Sequence, residues 1–210
     1  MPLTALTDAD VLADLQWRHT EDASFSSGLW TLAEVANYLT ERQNAFNRST
    51  GFVLARALAV AVDANSKATL PADWVSTHRV TYRSAAGRTF AVPRSDRFSD
   101  YMLSIGATIA PLAHDDHSGG TRVLELLPPL FPSGTLDLLY VSTLQALALN
   151  PLAPITFSVP FDFVPYIVYG AMSDMLAKSG RGQDLERARY CEQRFAEGIA
   201  VATLLQEGFA

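Results

Sequence analysis

His114-Asp115-Asp116-His117 places four possible metal ligands in four residues, the densest group of chemistry-bearing side chains in the chain. Imidazole and carboxylate both bind divalent metals, and two rings this close can reach one ion from a single turn. The run opens a polar stretch, His114 to Gly120, that reads as a glycine-flanked loop. Consecutive ligands on such a loop are held loosely, and no distant partner accompanies them. The expectation is a solvated loop, with no catalytic residue, no metal and no cofactor. His19 and His78 are isolated and read as structural or surface residues.

The standard catalytic signatures are absent. There is no glycine-rich phosphate loop, no Gly-x-Ser-x-Gly elbow and no His-Glu-x-x-His helix. The single cysteine, Cys191, excludes an intrachain disulfide and any multi-cysteine metal site. It falls on the apolar face of the last helix, where a small buried hydrophobe is the natural reading. Asn47-Arg48-Ser49 matches a glycosylation acceptor by composition alone. Trp30, Trp74, Phe90, Tyr82 and Tyr101 fall at strand and helix boundaries, where aromatic rings serve the core more readily than they stack on bases.

Arg181, Arg187, Arg189 and Arg194 form a second cluster, interleaved with Asp184, Glu186, Glu192 and Glu197. Arg189 with Glu192 and Arg194 with Glu197 are spaced i, i+3 on a helix, so the face can neutralise itself. The sharper reading makes Arg187, Arg189 and Arg194 a contact to another subunit. Both stay open at this point.

The elements that carry these groups can be read from periodicity. From Phe161 to Leu205 the chain reads as two antiparallel helices joined by a short turn. Val164, Ile167, Val168, Ala171, Met172, Met175 and Leu176 form one buried stripe, with Asp162 placed to cap and Pro165 in the first turn. Asp184 can cap the second helix, whose inner face carries Leu185, Ala188, Cys191, Phe195, Ile199, Ala202 and Leu205. Its small residues, Ala188, Ala196, Gly198, Ala200 and Ala202, allow close approach to a neighbour. Near the N-terminus, Thr7 with Asp10 and Thr31 with Glu34 mark two further helix starts, with Trp30 as a hydrophobic staple. Leu32, Val35, Ala36, Leu39 and Phe46 supply the stripe of the second of these.

The middle of the chain has strand character. Ala57 to Val62 and Ala68 to Leu70 read as one hairpin, and Arg79 to Tyr82 with Arg88 to Val92 as another. Pro71 to Trp74 reads as one helical turn and Ser95 to Leu103 as a short helix. Arg122 to Leu127 and Thr135 to Val141 are two further strands. The fold class is α+β: a helical bundle of N-terminal and C-terminal helices with a small antiparallel β insert. The expected divisions are 1–54, 55–153 and 154–210.

Composition narrows the function. The 210 residues are 49% hydrophobic and 18% charged, a globular balance with few charges for a small free-standing chain. That leans toward a subunit with much of its surface covered. A net charge of −6 disfavours a protein that grips DNA through its phosphates. Of the 16 basic residues only Lys67 and Lys178 are lysine; arginine suits multidentate interface pairing, although base composition explains the bias as well. The acidic opening from Met1 to Asp14 is unlike a signal peptide, and the apolar runs are too short to span a membrane, so an intracellular chain is expected.

The order of these elements resembles a known family, the head-to-tail adaptor (connector) proteins of tailed bacteriophages. Leu29-Trp30-Thr31-Leu32-Ala33-Glu34-Val35-Ala36-Asn37-Tyr38-Leu39 resembles their W-T-x-x-E-h-x-x-Y-L helix opening. Thr69-Leu70-Pro71-Ala72-Asp73-Trp74 is similar to the Y-x-L-P-x-D-F/W step after their first hairpin, with Ala68 near the place of the tyrosine. Leu124 to Pro128 followed by Leu136 to Val141 resembles their paired strands. Pro165 to Gly170, then Glu186 to Tyr190 and on to Phe195, resembles their closing helix pair. The likeness covers most of Thr7 to Leu205 in order, while 104–120 has no counterpart.

The resemblance implies a virion structural protein of the neck, made in the host cytoplasm, and not an enzyme. Its partners would be the portal protein, a tail or neck protein, and itself in a homo-oligomeric ring, a dodecamer like the portal. DNA would pass through the channel without specific binding, and no membrane is involved. Leu204, Leu205 and Phe209 would be the apolar anchors on the portal. The acidic balance suits a channel wall that repels phosphates. Rival readings are another neck or tail-tube component, such as a tail terminator, and a small metal-dependent enzyme using the His114–His117 loop. A nucleic-acid-binding module is the third.

Overall fold

A computed structural model of the chain describes residues 29–93, 112–116, 122–127, 134–149 and 155–207. The expected helices over Thr7 to Arg18 and Ser95 to Leu103 lie outside them. The chain divides into two units, one drawn from Met1–Val53 and Leu144–Ala210, the other from Leu54–Thr143.

The first unit is helical. Helix α1 (Leu32–Thr50) begins at Thr31, whose hydroxyl accepts from the Glu34 N–H at 3.2 Å while the Glu34 carboxylate accepts from the Thr31 N–H at 2.9 Å. This reciprocal box satisfies two N–H groups that a helix start leaves unpaired. The helix ends at Gly51, whose left-handed φ of 62° lets its N–H turn back to Asn47 O at 2.7 Å. A 3-10 turn over Phe161–Phe163 leads into α2 (Val164–Ala177), and α3 (Leu185–Glu207) follows. Asp162 does not cap α2. It lies within the 3-10 turn, and Phe163 takes the cap position without a side-chain bond. Asp184 does cap α3, accepting from the Arg187 N–H at 3.0 Å.

The three helices share one core, in which Val35, Leu39 and Phe46 of α1 meet Ile167, Met172 and Met175 of α2 and Cys191 and Phe195 of α3. Trp30 is buried there, and its Nε1–H donates to Met175 O at 2.9 Å, which ties it to the end of α2. On α3 the close approach is made by Ala188, Gly198 and Ala202, whereas Ala196 and Ala200 are exposed. Leu185 and Leu205, expected on the inner face, are also exposed. They stand at the two ends of α3, beyond the breadth of the face that α2 covers.

One face of α1 is polar yet engaged. Thr40 Oγ1 accepts from the Leu147 N–H at 2.9 Å, Asn44 Oδ1 from the Leu144 N–H at 2.7 Å, and Gln43 Nε2 donates to Gln145 O at 2.6 Å. Asn47 accepts from the Val53 N–H at 2.8 Å and donates to Val53 O at 3.1 Å. A hydroxyl and three side-chain amides here satisfy backbone groups at Val53 and along 144–147 that lie outside helices and strands.

The second unit holds two antiparallel sheets. Strands β1 (Leu54–Ala61), β2 (Lys67–Thr69), β3 (Trp74–Ser84), β4 (Thr89–Val92), β5 (Leu112–Asp116), β6 (Val123–Leu127) and β7 (Gly134–Ser142) form a four-stranded sheet in the order β1-β7-β3-β4 and a three-stranded sheet in the order β2-β6-β5. Their inner faces meet in a common core that includes Trp74, Val80, Tyr82, Leu124, Leu126, Leu136, Leu138 and Tyr140. The class is therefore α+β.

The pairing departs from expectation in three places. β1 and β2 do not form a hairpin; the turn at Asp63 sends the chain from one sheet to the other, with β1 on β7 and β2 on β6. β6 and β7 are likewise in different sheets. His114, Asp115 and Asp116, expected in a loop, extend β5, because Ala113 is buried in the core and registers opposite Leu126. The β3–β4 hairpin forms as expected, closed by the Gly87 N–H on Ser84 O at 2.9 Å. Among the described residues no helix is long and apolar enough to cross a membrane.

Candidate functional site

Helix α3 carries two strips with the same alternating three- and four-residue spacing, offset by one residue. Ala188, Cys191, Phe195, Gly198 and Ala202 form the buried strip against the rest of the unit. Arg187, Tyr190, Arg194, Glu197, Val201 and Leu204 form the second, about 100° further round the helix. A repeat averaging 3.5 residues keeps its side chains on one line along a helix, the geometry by which helices dock lengthwise. This line is open to solvent in its apolar part: Leu204 is 67% exposed, Tyr190 53% and Val201 43%. Leu205 flanks it at 45%. Phe209 lies outside the described residues.

The arginines of this helix differ. Arg187 pairs with Asp184 at 3.3 Å in an exposed contact worth little by itself. Arg194 pairs with Glu197 at 2.5 Å and lies over the Tyr169 ring at 5.9 Å, and Tyr169 meets Tyr190 edge-on at 6.2 Å. Its buried Nε–H has no acceptor among the described residues. Arg189 is exposed and does not pair with Glu192 as its spacing suggested. Glu192 is taken instead by Arg42 of α1, at 2.8 Å.

Arg42 is the electrostatic centre of the helical unit. It donates to Asp174 of α2 through Nε at 2.6 Å and Nη2 at 2.5 Å, reaches Glu192 of α3, and sits 5.0 Å over the Phe195 ring. The two carboxylates hold its proton more firmly than in a free side chain, Asp174 foremost. Nothing local in the sequence marks Arg42, since its partners lie far along the chain.

A cleft of about 340 Å³ lies between Trp30 and the turn of Lys178, Ser179, Gly180, Arg181 and Gly182. Lys178 is committed there to Glu34 at 2.6 Å and Leu29 O at 3.2 Å. In β5 the backbone register sets His114 opposite Glu125; His117 lies outside the described residues. Among the described residues no three or more His, Cys, Asp or Glu side chains gather so as to hold a metal ion. Missed in the sequence were the outward arginines of the four-stranded sheet, Arg56, Arg79 and Arg83. For Arg79 and Arg83, alternation with inward Val80 and Tyr82 in β3 was the available signal.

The side chains that stand out are thus exposed apolar and arginine residues on an α+β scaffold. The chain belongs to the SU10 adaptor protein family, whose family model matches residues 1–208. A solved structure described as "Neck of empty GTA particle computed with C6 symmetry" is 16% identical, over 86% of this chain and 87% of that one. Its TM-score of 0.28 is too low to bear on the fold. No curated protein matches the chain.

Proposed function

We propose that this chain is a head-to-tail adaptor of the virion neck, forming a ring between portal and tail that extends the DNA channel. Family membership supports the adaptor role. The observation that carries the rest is the open strip on α3, with Val201, Leu204 and Leu205 exposed on a helix whose other face is buried. Apolar side chains gathered at the end of a helix lose water only when a partner covers them.

In this reading Leu204, Leu205 and Phe209 dock on the portal. Arg187, Arg189 and Arg194 meet the neighbouring subunit of a homo-oligomeric ring, a dodecamer to match the portal. The exposure of Arg187 and Arg189 supports this, because guanidinium groups open to solvent can pair with carbonyls or carboxylates across an interface. The ring needs no cofactor, and DNA passes through it without specific contacts.

The test is co-expression with the portal protein of the same genome, followed by electron microscopy of the purified complex. A portal carrying an added ring, lost on deletion of 204–210, is the expected result. An added ring that survives the deletion moves the docking surface elsewhere. A bare portal overturns the adaptor reading in favour of a component lower in the tail.

A further inference from the structure

The outer face of the four-stranded sheet is basic in an acidic protein. Arg56 of β1 and Arg79 of β3 both register opposite Leu139 of the central strand β7, one from each side. Residues directly opposite in neighbouring strands project to the same face, so an Arg-Leu-Arg row crosses the sheet. The two arginine backbones are about 10 Å apart, two strand spacings. Arg83 continues the face along β3, opposite Thr135. Arg56, Arg79 and Arg83 are all exposed. The inward residues at the neighbouring positions, Leu136, Leu138, Val80 and Tyr82, are buried, so this orientation is fixed by the core.

The charges on this face are poorly balanced. Asp137 accepts from Arg83 at 3.4 Å and also from the Ala59 N–H at 3.0 Å, where β1 bulges with a positive φ of 54°. Arg56 and Arg79 have no ion pair among the described residues. Leu139 between them is half-buried, so the row combines an apolar centre with guanidinium donors at its edges. That is the composition of a protein interface, where arginine is enriched and an apolar middle is ringed by polar groups. Nucleic-acid phosphates fit less well. The described outward residues of this face include no aromatic ring for base stacking, and the net charge of −6 repels a polyanion at longer range.

We propose that this face docks on an acidic surface of a second copy of the chain, as part of the head-to-tail contact between ring neighbours to which Arg187, Arg189 and Arg194 also contribute. The inference rests on the homo-oligomeric ring proposed above. Charge complementarity selects the partner, because gathering three arginines on one face leaves the rest of the same chain more acidic than the whole. A face that meets a different face on the next copy is the contact that closes a ring. It also turns the arginines away from the channel and leaves acidic surface for the lumen.

The test compares portal complexes formed by the wild-type chain and by Arg56→Glu/Arg79→Glu, a variant that spares the Arg83–Asp137 pair. Wild type should form complete rings, and the variant should lower the fraction of complete rings at least tenfold. Arg56→Lys/Arg79→Lys guards against misfolding. It keeps the charge and supplies amines that a carbodiimide joins to nearby carboxylates, and mass spectrometry of the wild-type-like rings should find those links between copies. Complete rings from the Glu variant, or links made only to the portal, overturn the proposal while leaving the adaptor role standing. Binding of the wild-type chain to a 40-base-pair duplex that the Glu variant loses, with rings unaffected, makes the face a nucleic-acid surface instead. A wild-type chain that forms no ring overturns both readings.

Discussion

Arg42 and Asp174 meet fork to fork, Nε on Oδ2 at 2.6 Å and Nη2 on Oδ1 at 2.5 Å, and so lock α1 to α2 across 132 residues of sequence. Both side chains are mostly shielded, 17% and 28% exposed, so the pair keeps strength that a surface pair loses to solvent. Removing one member leaves the other partly buried and uncompensated. Arg42→Ala should therefore cost on the order of 2–3 kcal/mol, and Arg42→Lys should recover only part of it because an ammonium cannot match the fork. Urea denaturation of the three chains checks the order.

Gly198 should resist the usual helix-stabilising exchange. In an open helix interior Gly→Ala gains about 1 kcal/mol. Here a Cβ would fall against Cβ and Cγ of Tyr166, atoms too near the α2 backbone to swing aside. Gly198→Ala should instead destabilise by about 1–3 kcal/mol, the cost of overpacking. A thermal melt that moves upward would show that α2 and α3 are not so closely packed.

Asn47 serves Val53 with both ends of its amide, as donor and as acceptor. Asn47→Ala leaves both backbone groups without that partner, at an expected cost of about 2 kcal/mol or more. Asn47→Asp keeps the acceptor but turns a second oxygen toward Val53 O and buries a carboxylate at a fully buried position, so its loss should be at least as large. The denaturation midpoints of the two variants order them.

Leu204→Ser/Leu205→Ser should leave the stability of the isolated chain within about 0.5 kcal/mol of wild type, as exposed positions do. The same pair of changes should abolish the portal complex. Calorimetry on the free chain, beside pull-down by the portal, separates docking from folding.

Glu34 holds its proton less tightly than the ordinary carboxylate value of 4.5, chiefly because Lys178 donates to it and next because the Thr31 N–H does. A depressed folded pKa adds stability that is present above the unfolded value and lost as pH falls through the folded one. The stability gap between wild type and Glu34→Gln should accordingly be constant near neutrality and shrink below pH 4.5. Urea midpoints taken from pH 6 down to pH 3 read it directly.

Several features were determined by the sequence alone because their causes are local. Thr31 with Glu34 and Asp184 with Arg187 are caps built within four residues, and the stripe from Val164 to Leu176 repeats with the helical period whatever surrounds it. The family likeness rests on such local runs. Tertiary structure decided the rest, where energy depends on residues distant in the chain. Spacing alone pairs Arg189 with Glu192, yet Arg42 reaches Glu192 and adds a bidentate hold on Asp174. A turn at Asp63 reads as a hairpin, yet β1 gains Leu138 and Tyr140 as neighbours by joining β7, and β2 gains Leu124 by joining β6. The polar residues Thr40, Gln43, Asn44 and Asn47 look like a solvated helix face in the sequence. Only the fold shows them satisfying the backbone where the chain leaves the helical unit and returns to it. Asn47 bonds Val53 six residues on, while the partners of Thr40, Gln43 and Asn44 lie 100 or more residues away and leave no period in the sequence.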